Sequence, residues 1–282
     1  MNGFPYLGAC LGALASCCPE AEVIVADATG EETRAQVREC WPSVRLLSFG
    51  AAATVPELRA AGIFAASAPF VALIEDHCLV QEGWAGRILA AHRAGHEVVG
   101  GPIRNAATLR IRDRAAFLCE YSEHMEPVPR GPSRALPGMN VSYGRRAIEA
   151  IQGLLREGRW ETWLHARLQS EGFVLHADPD IVVAHDKSFG VREFVSQRFH
   201  YSRSYAGMRN PELGWKRLFY AAGSPMLVPL LFGRITRNVV GRGCRRQLLA
   251  PAPLIFLYLV VWAFGEAVGY ALGGGQSLQR VT

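Results

Sequence analysis

Apolar and polar positions along this chain follow two alternating periods. Residues 5–18 repeat apolar positions at helical spacing. Residues 22–26 (EVIVA) then form a short apolar run ending at Asp27 and Gly30, the pattern of a buried parallel strand that feeds a loop. The alternation recurs: 31–40 predicts a helix, 44–49 a strand, 56–66 a helix, 69–74 (PFVALI) a strand, 83–94 a helix and 97–101 a strand. Such alternation implies a mostly parallel sheet covered by helices, with ligands bound beyond the carboxyl ends of its strands. Acids stand at two of those ends, Asp27 after VIVA and Glu75-Asp76 after VALI. Further on, the pattern predicts a helix near 112–121, a Pro-rich loop, helices over 147–155 and 162–171, two strand-like pieces within 174–184, and a helix over 191–208.

The last third reads differently. Residues 217–233 are apolar but contain Pro225 and Pro229, which predicts an interfacial or re-entrant helix in place of a straight span. Residues 248–272 are long enough to cross a hydrocarbon core of roughly 30 Å, with Glu266 as the one acid in need of a partner or the interface. Charge sharpens this division. The chain of 282 residues has a net charge of +5, yet residues 187–247 hold 12 Lys/Arg against Glu193 and Glu212, a local excess of +10 that leaves the rest net acidic by 5. A basic tail facing phosphates or anionic lipid is thereby set apart from a body with another task. No zinc-finger or RNA-binding signature accompanies the charge, so nucleic acid is not an expected partner. Seven cysteines without C-x-x-C spacing indicate neither a disulfide framework nor a structural zinc site.

The segment IEDHC, residues 74–78, carries the most chemistry. Glu75, Asp76 and His77 supply hard oxygen ligands and an imidazole at a strand end, a donor set suited to a divalent cation that neutralises a departing diphosphate. Such a triplet after a strand is equally compatible with a solvated turn. Gln81-Glu82-Gly83-Trp84 then opens a helix after a short loop.

With these residues in view, the chain resembles the family 2 glycosyltransferases of the GT-A fold, in which a strand ends in a D-x-D-type motif followed by a loop and a Gly-Trp that starts a helix. ALIEDHCLVQEGW has that spacing, with Glu75 and His77 where the family usually has Asp. Three further segments resemble the family in the expected order: EVIVADATG (22–30), PGMNVSYGRRAI (137–148) and RWETWLHARLQSEGF (159–173). The resemblance covers about residues 5–206. It implies an α/β, Rossmann-like, nucleotide-binding mixed sheet with helices on both faces, plus C-terminal membrane-associated helices.

The resemblance also implies roles. Asp27 would contact the nucleobase, and Gly138 and Asn140 would line the donor sugar. Glu161 would be the catalytic base that deprotonates the acceptor hydroxyl in an inverting displacement, although the family's neighbouring acids are replaced by Trp160 and Trp163. VVAHDKS (182–188) resembles the stretch in which some members present a late His to the metal, here His185. QRFHYSRSYA (197–206) resembles a helix whose Arg198 and Arg203 would clamp phosphate oxygens; a solvated or lipid-facing helix fits them equally. Glu75, Asp76, His77 and His185 would then hold Mn2+ or Mg2+. The partners implied are a nucleotide-sugar donor, a glycan or lipid-linked acceptor, and membrane lipids, at the cytoplasmic face of a bacterial inner membrane. The Arg-rich stretch Arg234, Arg237, Arg242, Arg245 and Arg246 agrees with that side.

The expected organisation is a transferase domain over 1–206, a basic interfacial region over 207–247, a transmembrane helix over 248–273 and a tail over 274–282. Family members begin with a strand ending in a Pro-x-Tyr/Phe-Asn turn, whereas Met1 to Pro5 already correspond to the family's first helix. Two expectations follow from that departure, a start placed too late or a catalytically silent, membrane-anchored binding or scaffolding relative.

Overall fold

The computed structural model describes residues 3–281. Met1, Asn2 and Thr282, which the expectations about the N-terminus and tail touch, lie outside the described residues. The elements run α1 (Phe4–Cys17), β1 (Ile24–Asp27), α2 (Glu31–Cys40), β2 (Arg45–Ser48), α3 (Val55–Ala65), β3 (Phe70–Leu73), β4 (Cys78–Val80), α4 (Trp84–Arg93), β5 (Val98–Gly100) and β6 (Ile103–Asn105). Next come α5 (Ile111–Tyr121), β7 (Gly131–Ser133), β8 (Val141–Gly144), α6 (Arg145–Arg156), α7 (Glu161–Ser170), β9 (Leu175–Ala177) and β10 (Val183–His185). The rest is helical: α8 (Val191–Leu213), α9 (Lys216–Gly223), α10 (Leu227–Gly241), α11 (Arg246–Leu249) and α12 (Ala252–Leu272).

This is a mixed α/β chain in two compact units. The first takes in the residues up to Ala106 together with His124–Asp186, and the second takes in Ala107–Glu123 together with everything from Lys187. The division differs from the expected boundary after residue 206, because α5 and α8 belong with the tail helices. Their interior contacts explain it: Arg198 of α8 pairs with Glu120 of α5, and Phe194 of α8 meets Tyr258 of α12 edge to face with ring centroids 4.5 Å apart.

In the first unit the sheets are mixed, not mostly parallel. A five-stranded sheet has the order β3-β8-β5-β9-β7, in which only β5 and β9 pair in parallel. A three-stranded sheet has the order β4-β10-β6, and β1 pairs with β2 in parallel. The core is built on the five-stranded sheet, where Val71, Val98, Val141, Tyr143 and Leu175 meet Ile63 of α3, Ile148 and Ile151 of α6, and Leu168 of α7. Burial of these side chains supplies about 1.5–3 kcal/mol each. α3 starts where it does because Thr54 and Glu57 close a reciprocal capping box ahead of its apolar residues.

In the second unit α12 packs along α8 through glycines. A Cβ on Gly265 would collide with Ser202 and the Phe199 carbonyl, and one on Gly269 would collide with the Arg203 carbonyl. Small residues four apart allow that approach. Pro225 sits in a single 3-10 turn, Ser224–Met226, that joins α9 to α10. Two helices, Lys216–Gly241 and Ala252–Leu272, are long and apolar enough to cross a membrane by length and composition.

Candidate functional site

The site grows from the end of β3. There Leu73 pairs with Val141 of β8, so the chain leaving β3 emerges beside the turn that leads into β8. Residues 75–78 turn sharply, with the Cys78 amide donating to the Glu75 carbonyl at 3.0 Å, and β4 then pairs antiparallel with β10. Because Cys78 is opposite His185 in that register, the His77 and His185 rings come together edge to face, centroids 4.6 Å apart. Sequence spacing of more than a hundred residues is thus closed by one strand pair.

Among the described residues, three carboxylates and two cations meet here. His77 lies between the acids, Nδ1 at 2.9 Å from Asp76 Oδ1 and Nε2 at 3.2 Å from Glu75 Oε2. Arg59, from α3, pairs with Glu75 through one amino group and with Glu161 through the other. Glu161 is the first residue of α7, where the helix N-terminus favours a negative charge. Gly138, in the turn before β8, faces the same carboxylate: a Cβ there would overlap Glu161. Segments around 59, 75–77, 138, 161 and 185 therefore converge on one locus.

The electrostatics follow from burial and pairing. Burial alone would push Glu75 up, but the hydrogen bond from His77 and the charges of Arg59, His77 and His185 outweigh it and hold the carboxyl at about 2. Asp76 is likewise driven below the usual carboxylate range, burial being outweighed chiefly by His77. Burial would lower His77, yet its bonds to Asp76 and Glu75 raise it to about 9, so the ring is a cation at neutral pH.

This network bears on the expected metal site. Glu75, Asp76, His77 and His185 do cluster, and two carboxylates with an imidazole are suitable donors for Mn2+ or Mg2+. As arranged, however, they do not fit an ion. The ring nitrogens of His77 point at the acids, where a ligand would need a free, unprotonated nitrogen, and among the described residues no three such side chains surround a common point.

Four other expected site residues have partners inside the fold. Asn140 is fully buried and acts as a strut where a sugar-lining residue was expected. Its Oδ1 accepts from Trp84 Nε1 at 2.9 Å, and its Nδ2 donates to the carbonyls of Pro102 at 3.1 Å and Ile181 at 2.7 Å. The carboxylate of Asp27 is spent on its own loop. It accepts from the Thr29 amide at 3.0 Å, the Thr29 hydroxyl at 2.5 Å and Arg34 Nε at 2.7 Å, and its exposure is only 5%. Arg198 and Arg203 belong to the interior of the second unit. Arg198 pairs with Glu120 and lies over Phe194, Tyr201 and Trp262, while Arg203 Nε donates to the Gly273 carbonyl at 3.1 Å.

Arg59 is the residue that motif reading passed over. It is the sole charged side chain in residues 58–74, a lone guanidinium in an apolar helix, and that isolation was a usable signal.

No protein-family model matches the sequence, and no curated protein is significantly similar to it. Among solved structures, the chain is similar to S. aureus TarS residues 1–349 at 12% identity and TM-score 0.48, covering 95% of this chain and 88% of that one. It is also similar to the mannosyltransferase PcManGT from Pyrobaculum calidifontis, solved with GDP-Man and Mn2+, at 14% identity and TM-score 0.48, covering 90% and 84%.

Proposed function

We propose that the chain is a glycosyltransferase that moves a sugar from a nucleoside diphosphate donor to a glycan or lipid-linked acceptor at a cytoplasmic membrane face, with Glu161 as the base. One observation supports the reading above others: residues from the separate segments of the family 2 resemblance, Glu75, Asp76, His77, Gly138, Glu161 and His185, gather at one locus.

The chemistry needs a carboxylate that takes the acceptor proton while the donor's diphosphate departs. Glu161 is paired with Arg59 and closely approached by Gly138, contacts that restrict its carboxylate. Arg59 and His77 both lie against the acids, and a diphosphate brought to this locus would meet both. Inversion is the stereochemical outcome of a single displacement with one base. His77 would have to release a carboxylate and its proton before it could ligate a metal.

The test is a thermal-shift screen of nucleotide sugars on the full chain, followed by release of nucleoside diphosphate from any donor that stabilises it. The expected result is binding and turnover by the wild type, with Glu161→Gln retaining binding and losing at least ~10²-fold in turnover. Stabilisation by a donor with no turnover in the presence of glycan or lipid-linked acceptors would favour the silent scaffolding relative.

A further inference from the structure

The second unit offers a membrane-binding surface whose geometry decides how it engages lipid. α12 satisfies length and composition for a span, but its surroundings do not. It is packed by α8 along much of its length, from Phe194 on Tyr258 through Arg198 over Trp262 to Arg209 on the Tyr270 hydroxyl at 2.6 Å and Asn210 on the Gly269 carbonyl at 2.9 Å. α8 also carries Arg192, Glu193, Arg203 and Glu212, and α5, whose Glu120 binds Arg198, carries Arg112, Asp113 and Arg114. A spanning α12 would bring these charged helices into hydrocarbon with it, where ionisable groups are strongly disfavoured. Even Glu266, the acid within α12, has an internal partner in Trp262 Nε1 at 2.7 Å. α12 is therefore the central helix of a helical bundle.

The helix running Lys216–Gly241 also fits the bilayer plane better than its normal. Its charge-free stretch, residues 218–233, is about 24 Å long at 1.5 Å per residue, short of a hydrocarbon core of roughly 30 Å. Trp215, Leu218, Phe219, Met226 and Leu230 are all more than 60% exposed along it, and α12 adds an outward stripe of Phe256, Leu257, Val260 and Phe264. Apolar exposure on this scale marks a surface that is covered in use. Charge identifies what covers it. From residue 213 to 265 there is no acid, while Lys216, Arg217, Arg234, Arg237, Arg245 and Arg246 are all exposed.

We infer that the second unit is a monotopic platform: the Lys216–Gly241 helix lies in one leaflet of an anionic bilayer, its aromatic and aliphatic side chains at the acyl boundary and its arginines on lipid phosphates, while α12 does not cross. The chain's C-terminal end then stays on the same side as its N-terminal end. The inference deepens the membrane part of the proposed function and holds whether or not the first unit turns over a sugar.

Two measurements on the full chain test it. Flotation with phosphatidylglycerol-containing vesicles should carry most of the protein, at least tenfold more than phosphatidylcholine vesicles at 0.1 M NaCl. Leu218→Ser/Phe219→Ser and Arg234→Ser/Arg237→Ser variants should each reduce it severalfold while keeping the wild-type melting temperature. Absence of flotation, or equal flotation on both lipids, overturns the anionic-leaflet assignment. Epitope tags at the two ends, probed by protease on spheroplasts and on opened membranes of a bacterial host, should become cleavable together. A C-terminal tag cut on the opposite side from the N-terminal tag overturns the in-plane arrangement.

Discussion

Charge is handled in opposite ways at the acidic locus of the first unit and along the basic α10–α11 stretch of the second. In the first, Arg59 and His77 are largely buried and clasped between Glu75, Asp76 and Glu161, so that each charge is held by another. In the second, Arg234, Arg237, Arg245 and Arg246 stand exposed in a segment without acids. The first arrangement fixes directions and tolerates no missing member. The second leaves its charges available to whatever phosphate surface the molecule meets, and contributes little to folding.

Deleting Arg59 should expose that contrast most strongly. Arg59→Ala leaves Glu75 and Glu161 without their shared cation, and urea unfolding should report a loss of about 3–5 kcal/mol. A loss under ~1 kcal/mol would mean that the acids are solvated.

The pH dependence of stability is next in size. Because the folded pKa of His77, at about 9, lies above its unfolded value near 6.5, its contribution is complete below pH 6.5 and is lost as pH rises through 9. At about 1.36 kcal/mol per pKa unit the loss amounts to at most about 3 kcal/mol. Urea midpoints between pH 6 and pH 9.5 should fall for the wild type and stay flatter in His77→Gln.

Gly138→Ala probes the closeness of the β8 turn to Glu161 and should cost about 1–3 kcal/mol by overpacking, read as a drop in melting temperature. On the other side of the comparison, Arg234→Ser/Arg237→Ser should move stability by no more than ~0.5 kcal/mol by calorimetry, since nothing folded depends on those exposed charges.

Much of this was legible in the sequence, for physical reasons that also explain what was not. Helices with a clear apolar face were predicted within a residue or two, such as α2 over Glu31–Cys40 and α3 over Val55–Ala65, because 3.6-residue periodicity over ten residues is a strong local signal. Strands β4 (CLV), β6 (IRN), β7 (GPS) and β8 (VSYG) lack the longer apolar run that marks β1, β2 and β3 in the sequence, and β8 lies at the heart of the main sheet. Missing it made the sheet look mostly parallel. Pro225 argues against a straight span, and in the fold it sits in one 3-10 turn between α9 and α10.

The site shows the same divide. Glu75 to His77 and Glu161 could be named from their segments, and the proximity of His185 follows from a strand register that no local pattern encodes. Asp27 and Asn140 were recognised as special by their positions, but whether a polar side chain faces a ligand or ties down its own backbone depends on neighbours such as Arg34 and Trp84 that only the fold brings near. The close packing of α12 on α8 was hidden too, since hydropathy says nothing of which glycines meet a neighbouring helix.

Glycosyl transfer at the Glu161 locus is tested most directly by nucleoside diphosphate release by the full chain on anionic vesicles, with each of a panel of nucleotide sugars and lipid-linked acceptors. Acceptor-dependent release by the wild type is expected with at least one donor, reduced by at least ~10²-fold in Glu161→Gln at unchanged donor affinity. Release that is equal in Glu161→Gln and the wild type would contradict it.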